Sequence, residues 1–153
     1  YKYFRKNISF VPQDVFIANL SFKENIALGV SEDDINMKKV IKCAKIAEIH
    51  GFINSNKNQY ETITSHNARN ISGGQKQRIG IARALYNDKQ ILVLDEATNA
   101  IDVKTEKKIF YNLLKFHSDK TILVISHKKI MANFFTKKYI LKKNYLNQAG
   151  VHE

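Results

Sequence analysis

Apolar and polar residues alternate along this chain in two rhythms, one of two residues and one of about 3.6, and these separate strands from helices. Ile8-Ser9-Phe10-Val11 alternates and stops at Pro12, the sole proline, which predicts a short strand. Ser21-Phe22-Lys23-Glu24 has the form of a capping box and predicts a short helix closed by Gly29. Ser31-Glu32-Asp33-Asp34 supplies an N-cap and an acidic first turn. Met37, Val40, Ile41, Ala44 and Ala47 follow at helical spacing, predicting an amphipathic helix. Residues 54–70 are polar and aperiodic and read as loop.

Ser72 can cap a further helix with Ile79, Ala82 and Tyr86 on one face and Ile81 and Leu85 flanking. Ile91-Leu92-Val93-Leu94 is a continuous apolar run, the pattern of a strand buried on both faces. Lys104 to Phe116 predicts a helix with Ile109, Phe110, Leu113 and Leu114 inward, and Thr121 to Ile125 a second buried strand. Strand, helix and strand with short connections make a βαβ unit, so the two strands are expected to be parallel with a right-handed crossover. Lys138 to Leu141 predicts a last strand. With 153 residues, no repeat and no linker, the expectation is one core of α/β class.

Composition adds exclusions. No apolar run reaches the roughly 18–20 residues that span a bilayer, and the N-terminal residues lack the apolar stretch of a secretory signal. The first residue is Tyr1 rather than Met, so the chain reads as an excised piece. Cys43 is alone, which excludes an internal disulfide and suits a reducing compartment. The net charge of +11 could signal nucleic acid or an anionic surface. However, 21 of the 25 basic residues are Lys, scattered among Asn and Ile, and only 4 are Arg. That pattern is a general bias in composition rather than a binding stripe, and no nucleic-acid partner is expected.

Two strings carry chemistry. The apolar run at 91–94 ends in Asp95-Glu96, which places two carboxylates beyond the carboxyl end of a parallel strand, where such sheets bind ligands. Asp95 could hold Mg²⁺ and Glu96 could take a proton from an attacking water, although acids after a strand are more often loop residues or caps. Ile71-Ser72-Gly73-Gly74-Gln75-Lys76-Gln77-Arg78 opens a helix directly. Its glycines permit close backbone approach and its free N–H groups attract phosphate, and a plain Ser-capped helix is the structural alternative.

Taken together with its Ala82-Arg83-Ala84-Leu85 continuation, this second string resembles the signature motif of ABC transporter ATPase domains, with Ile71 in place of the usual Leu. It lies 23 residues before Asp95, and Asp95-Glu96-Ala97-Thr98 resembles the end of the family's Walker B motif. Asn99-Ala100-Ile101-Asp102 is similar to the D-loop, Ile125-Ser126-His127 to the switch-histidine segment, and Val11-Pro12-Gln13-Asp14 to the Q-loop. Lys23-Glu24-Asn25-Ile26 follows in the exporter manner.

The resemblance implies an incomplete P-loop ATPase (RecA-like) parallel-sheet core, residues 1–29 and 76–153, with a helical signature-motif subdomain over residues 30–75. It further implies ATP and Mg²⁺ as ligands, Glu96 and His127 as catalytic residues, and Asp95 and Gln13 at the metal. Gln13, Ser72, Gly73, Gly74, Gln75 and Asp102 would be the nucleotide-binding set. Two such domains would pair head to tail beneath the transmembrane domains of an exporter, at the cytoplasmic face of the membrane. The strand ending at Val11, the Asp95 strand and the Ile125 strand are then expected to be sheet neighbours.

The family's phosphate-gripping G-x-x-x-x-G-K-[ST] string occurs nowhere in these residues, and its place in the family lies upstream of Gln13. A P-loop makes several charge-assisted bonds of about 1.5–3 kcal/mol each. Losing four would remove roughly 6–12 kcal/mol, against about 8 kcal/mol for micromolar binding. Upstream of the signature, Ser65-His66-Asn67-Ala68 stands where exporters usually read Gly-Glu-Arg-Gly, and Asn99 stands where the D-loop usually has Ser. Gly150-Val151-His152-Glu153 is similar to the family's Gly-Thr-His-Glu. Two rival readings stay open at this stage. One is an inactive remnant or split fragment of such a domain. The other is a non-transport ABC ATPase acting on nucleic acid, which the 58 residues between Gln13 and Ser72, free of sustained heptads, disfavour.

Overall fold

A computed structural model of the chain describes residues 6–64, 71–117, 119–128, 134–142 and 145–149. The segments at 65–68 and 150–153, singled out above, lie outside the described residues.

Three parallel strands form the sheet: β1 (Ile8–Val11), β2 (Ile91–Asp95) and β3 (Thr121–Ile125), in that spatial order. Phe10 pairs with Val93 and Val93 with Leu123, and Asp95 pairs with Ile125. The expected neighbours are therefore neighbours. β4 (Lys138–Lys142) forms as expected but belongs to a separate antiparallel hairpin with β5 (Tyr145–Ala149), a strand that the hydrophobic pattern did not announce.

The helices are α1 (Phe22–Ile26), α2 (Met37–Ile46), α3 (His50–Asn54), α4 (Gly73–Tyr86) and α5 (Val103–Phe116). α1 begins with the expected capping box between Ser21 and Glu24. Ser31, by contrast, does not cap the amphipathic helix. It precedes a 3-10 turn over Glu32–Asp34, and Asn36 caps α2 by accepting the Lys39 N–H. The expected single element is split because Ser31 Oγ bonds the Asp34 carboxylate, closing a local turn. Within the expected loop, Gln59–Glu61 forms a 3-10 turn that buries Tyr60, whose hydroxyl lies 2.8 Å from His50 Nδ1.

One face of the sheet carries Ser9, Val11, Leu92 and Leu94, all buried, with Ile122 and Val124 packed against the same core. α4 packs so closely here that a Cβ on Gly80 would stand 3.2 Å from a methyl of Val11 on this face and 2.7 Å from one of Val15 in the loop that follows β1. α5 brings in Ile109, Phe110 and Leu113, and Phe110 meets the rings of Phe134 and Phe135. Leu114, expected inward, is exposed, because the apolar stripe of α5 is only wide enough to bury its 109-110-113 edge. The opposite sheet face overturns the expectation that β2 and β3 are buried on both sides. Phe10 (54%), Leu123 (51%) and Ile125 (47%) are exposed there, and among the described residues no element covers them.

Candidate nucleotide-hydrolysis site

Because the three strands run parallel, their carboxyl ends lie along one edge, and the loops that leave them carry the sequence-predicted groups. β1 leads to Gln13, β2 ends in Asp95 and continues into Glu96, and β3 leads to His127. His127 Nε2 lies 2.9 Å from Glu96 Oε1, and Asn99 Nδ2 donates to Glu96 Oε2 at 2.7 Å. Both oxygens of one carboxylate are thus held, and His127 is otherwise open to solvent. Glu96 has φ 48°, a left-handed conformation that costs a non-glycine residue about 1–2 kcal/mol. The turn is held by its own N–H donating to Ile125 O (3.0 Å) and its carbonyl accepting from Asn99 N–H (3.2 Å). An over-determined strained backbone is the kind of feature that clusters at functional sites. The half-buried Asp95 carboxylate has no hydrogen-bond or ionic partner among the described residues.

The glycine-led helix start sits against the loop after β2. Ser72 accepts the Gln75 N–H (3.3 Å) while Gln75 Oε1 accepts the Ser72 N–H (2.8 Å), a reciprocal capping box. A Cβ on Gly74 would fall 2.6 Å from the Ala100 carbonyl, and one on Gly73 3.3 Å from the Ala100 Cβ. Gly74 is therefore required by packing against the Ala100 backbone, whatever else it binds, and a side chain at 73 would be tight against Ala100. Ser72 and Gly73 remain exposed at the surface. Asp102 is occupied in another way: its Oδ1 accepts the Thr105 N–H at 2.9 Å and caps α5, a bond that holds its carboxyl below the usual range. The Gln13 side chain is exposed and without a partner among the described residues, although its carbonyl is engaged. The lone Cys43 is buried and its thiol is pushed up to about 11 by desolvation, so it offers no thiolate at neutral pH.

The structure adds residues that the sequence reading did not single out. Gln77, on the second turn of α4, is buried and makes three bonds to two of these loops, those after β1 and β2. Lys128 follows His127 and reaches the Thr98 carbonyl (2.9 Å) and both oxygens of Glu106 (3.4 and 3.3 Å), a carboxylate only 1% exposed. Glu106 lies three, four and seven residues before Ile109, Phe110 and Leu113, so a charge on the inward stripe of α5 was the available signal. Asn25 is fully buried, and its amide donates to the carbonyls of Ala18, Leu20 and Ser21 while accepting the Ala18 N–H. That explains the Asn within Glu24-Asn25-Ile26: it folds the 18–21 loop onto α1. Arg83 ties α1 and the segment before this loop to α4 through the carbonyls of Asn25 (2.7 Å) and Phe16 (2.9 Å).

The strand ends thus gather Asp95, Glu96 and His127 along one edge of a parallel sheet, beside a glycine-led helix. The family description "ABC transporter" matches residues 1–99, and the chain belongs to that family. It is 37% identical over 149 residues to the leukotoxin export ATP-binding protein LtxB of Aggregatibacter actinomycetemcomitans, covering 97% of this chain and 21% of that protein. It is 38% identical over 148 residues to the leukotoxin translocation ATP-binding protein LktB of Mannheimia glucosida, with the same coverage. It also superposes on a bacterial Atm1-family ABC exporter with ATP bound, at a TM-score of 0.87 and 32% identity, over 96% of this chain and 26% of that one. The chain thus spans about a fifth of the length of the curated relatives it matches. None of its described helices is long and apolar enough to cross a membrane.

Proposed function

We propose that this chain is the segment of an exporter's ATP-hydrolysing domain that runs from the Q-loop glutamine to the switch histidine. The observation that carries the reading is the held carboxylate of Glu96, strained at φ 48° at the mouth of a parallel sheet and contacted by His127 at 2.9 Å. In that role Glu96 accepts the proton of an attacking water, and His127 and Asn99 fix the carboxylate so that little reorganisation is needed when the proton moves. Asp95 fits Mg²⁺ by its chemistry: Mg²⁺ takes one or two protein carboxylates beside substrate phosphates, and this one is unspent on any protein partner among the described residues. Bound there with ATP, the metal would neutralise phosphate charge. Gln13, from the neighbouring strand end, would be the second group toward that metal.

Ser72, Gly73, Gly74 and Gln75 would face the nucleotide of a second, head-to-tail copy, with the Gly73 and Gly74 N–H groups that the capping box leaves unspent, and the helix dipole, directed to its phosphates. The capping box leaves this helix start pre-formed, so little ordering opposes the contact. Asp102 would act from beside the same interface, as the cap of α5. The residues 30–75 would form the helical subdomain and the remainder the core. Phe16 and Ile63, 71% and 67% exposed, are on backbone segments that Arg83 and the Ser21–Ile63 bridge fix to the body of the domain, and they would receive the transmembrane domains. Nucleic acid is not a partner in this reading.

The test is Glu96→Gln in the full-length protein that carries this chain. Steady-state hydrolysis is expected to fall at least about 100-fold, the scale of a lost general base, with ATP binding retained. Unchanged hydrolysis would remove Glu96 from the catalytic role.

A further inference from the structure

Both polar atoms of the Gln77 side chain are committed to the loops that leave β1 and β2. Its Nε2 donates to the Gln13 carbonyl at 3.3 Å and to the Glu96 carbonyl at 3.5 Å, and its Oε1 accepts the Ala100 N–H at 2.9 Å. The three partners lie 64, 19 and 23 residues away in sequence, so no local secondary structure explains the set. Gln77 is 5% exposed, and a buried primary amide left unsatisfied is costly, so the short bond from Ala100 and the two longer donations together account for its polar atoms. Gln77 is also rigidly referenced to the start of α4. The helix bond from Lys76 N–H to Ser72 O and the bond from Arg78 Nε to Gly74 O secure the intervening turn, and Arg78 Nη1 adds the Glu48 carbonyl at 2.6 Å.

We propose that Gln77 is a positioning residue that transmits the placement of the α4 start to the hydrolytic loop, by holding the backbone of Glu96 and Ala100 in register with Gln13. The physical case is one of geometry. Glu96 is in a left-handed turn whose carbonyl is held by the Asn99 N–H and by Gln77, and nothing covalent nearby enforces that turn. The glycines at 73 and 74 abut Ala100, so a shift of α4 moves Ala100 by contact while the Gln77 amide carries Glu96 and Gln13 with it. A group that engages the α4 start is thereby read out at the carboxylate without touching it. Such a connection consists of packed and hydrogen-bonded groups with few alternatives, which is the form coupling between sites takes in dense interiors.

This inference rests on the hydrolytic reading of Glu96, and the experiment separates the two. In the full-length protein, Gln77→Met keeps the volume and removes all three bonds, whereas Gln77→Glu keeps the acceptor for Ala100 and removes both donations. Three quantities are read for each variant: kcat, the number of ATP-binding sites per protein, and amide hydrogen exchange over residues 91–101. The expected result for Gln77→Met is a fall of at least tenfold in kcat with full ATP-binding stoichiometry and faster exchange at Ala100. Gln77→Glu should lose kcat to a similar degree while protecting the Ala100 amide. A kcat within twofold of the parent in Gln77→Met, or a kcat loss matched by an equal loss of ATP-binding sites, overturns the proposal. If Glu96→Gln in the same assay leaves hydrolysis intact, the failure belongs to the catalytic reading instead.

Discussion

The uncovered face of the sheet gives a quantitative expectation for the 153-residue chain in solution. Phe10, Leu123 and Ile125 each leave about half of their surface open, and Phe10 and Leu123 lie in one row with Val93 between them. Each contributes about 100 Å² of apolar area, so two copies meeting on this face would remove about 600 Å² from water, a gross gain of about 15 kcal/mol. Association itself costs about 4–15 kcal/mol. The balance, from about zero to about 11 kcal/mol, spans dissociation constants from about molar to about 10 nM, and the edge strand β3 adds unpaired N–H and C=O groups that favour larger assemblies. Leu123→Lys removes about 100 Å² from each copy, about 5 kcal/mol per pair. Half of that returns if the lysine methylenes lie along the face, leaving about 2–3 kcal/mol. Self-association should then weaken about 30- to 160-fold by sedimentation velocity over a concentration series. Tyr111→Lys, at a side chain 61% exposed on α5, adds the same charge away from the sheet and should leave association unchanged. The reasoning fails if the parent chain is monomeric throughout with a sharp thermal transition, or if the two lysine variants are equally dissociated.

The purified chain alone should hydrolyse no ATP above background, since its residues include no P-loop string to grip the phosphates; a Glu96-dependent turnover at saturating MgATP would refute this. In the Leu123→Lys background, Lys128→Met should destabilise the chain by about 3 kcal/mol, the lower end for a broken buried pair, because Lys128 is 27% exposed and water can reach part of the gap. Glu106→Leu combined with Lys128→Met should recover most of that loss. Pulse proteolysis in urea reads both values, and a single-variant cost under about 1 kcal/mol would show that the pair contributes little.

The local elements were legible because local rules dominate them. The capping boxes at Ser21 and Ser72 use only neighbouring residues, and α4 and α5 follow apolar spacings that have one helical solution. β1, β2 and β3 were announced by short apolar runs, and their ends pointed to Glu96 and His127 through the order of the motifs. What the sequence left undecided depended on distant partners. A run such as Ile91-Leu92-Val93-Leu94 is the same string whether one face or two are covered, so only the packing disclosed the open face. Ser31 lost its helix to a turn with Asp34 because competing local bonds differ by amounts too small to rank from residue types alone. Gln77, Glu106 and Lys128 are ordinary residues by pattern, and their importance arises from what surrounds them. A buried amide or carboxylate must find partners, and those partners come from segments 19 to 64 residues away in sequence. The chain's order of residues determined which chemistry was present, and tertiary burial, by making polar groups satisfy one another, decided how that chemistry is held.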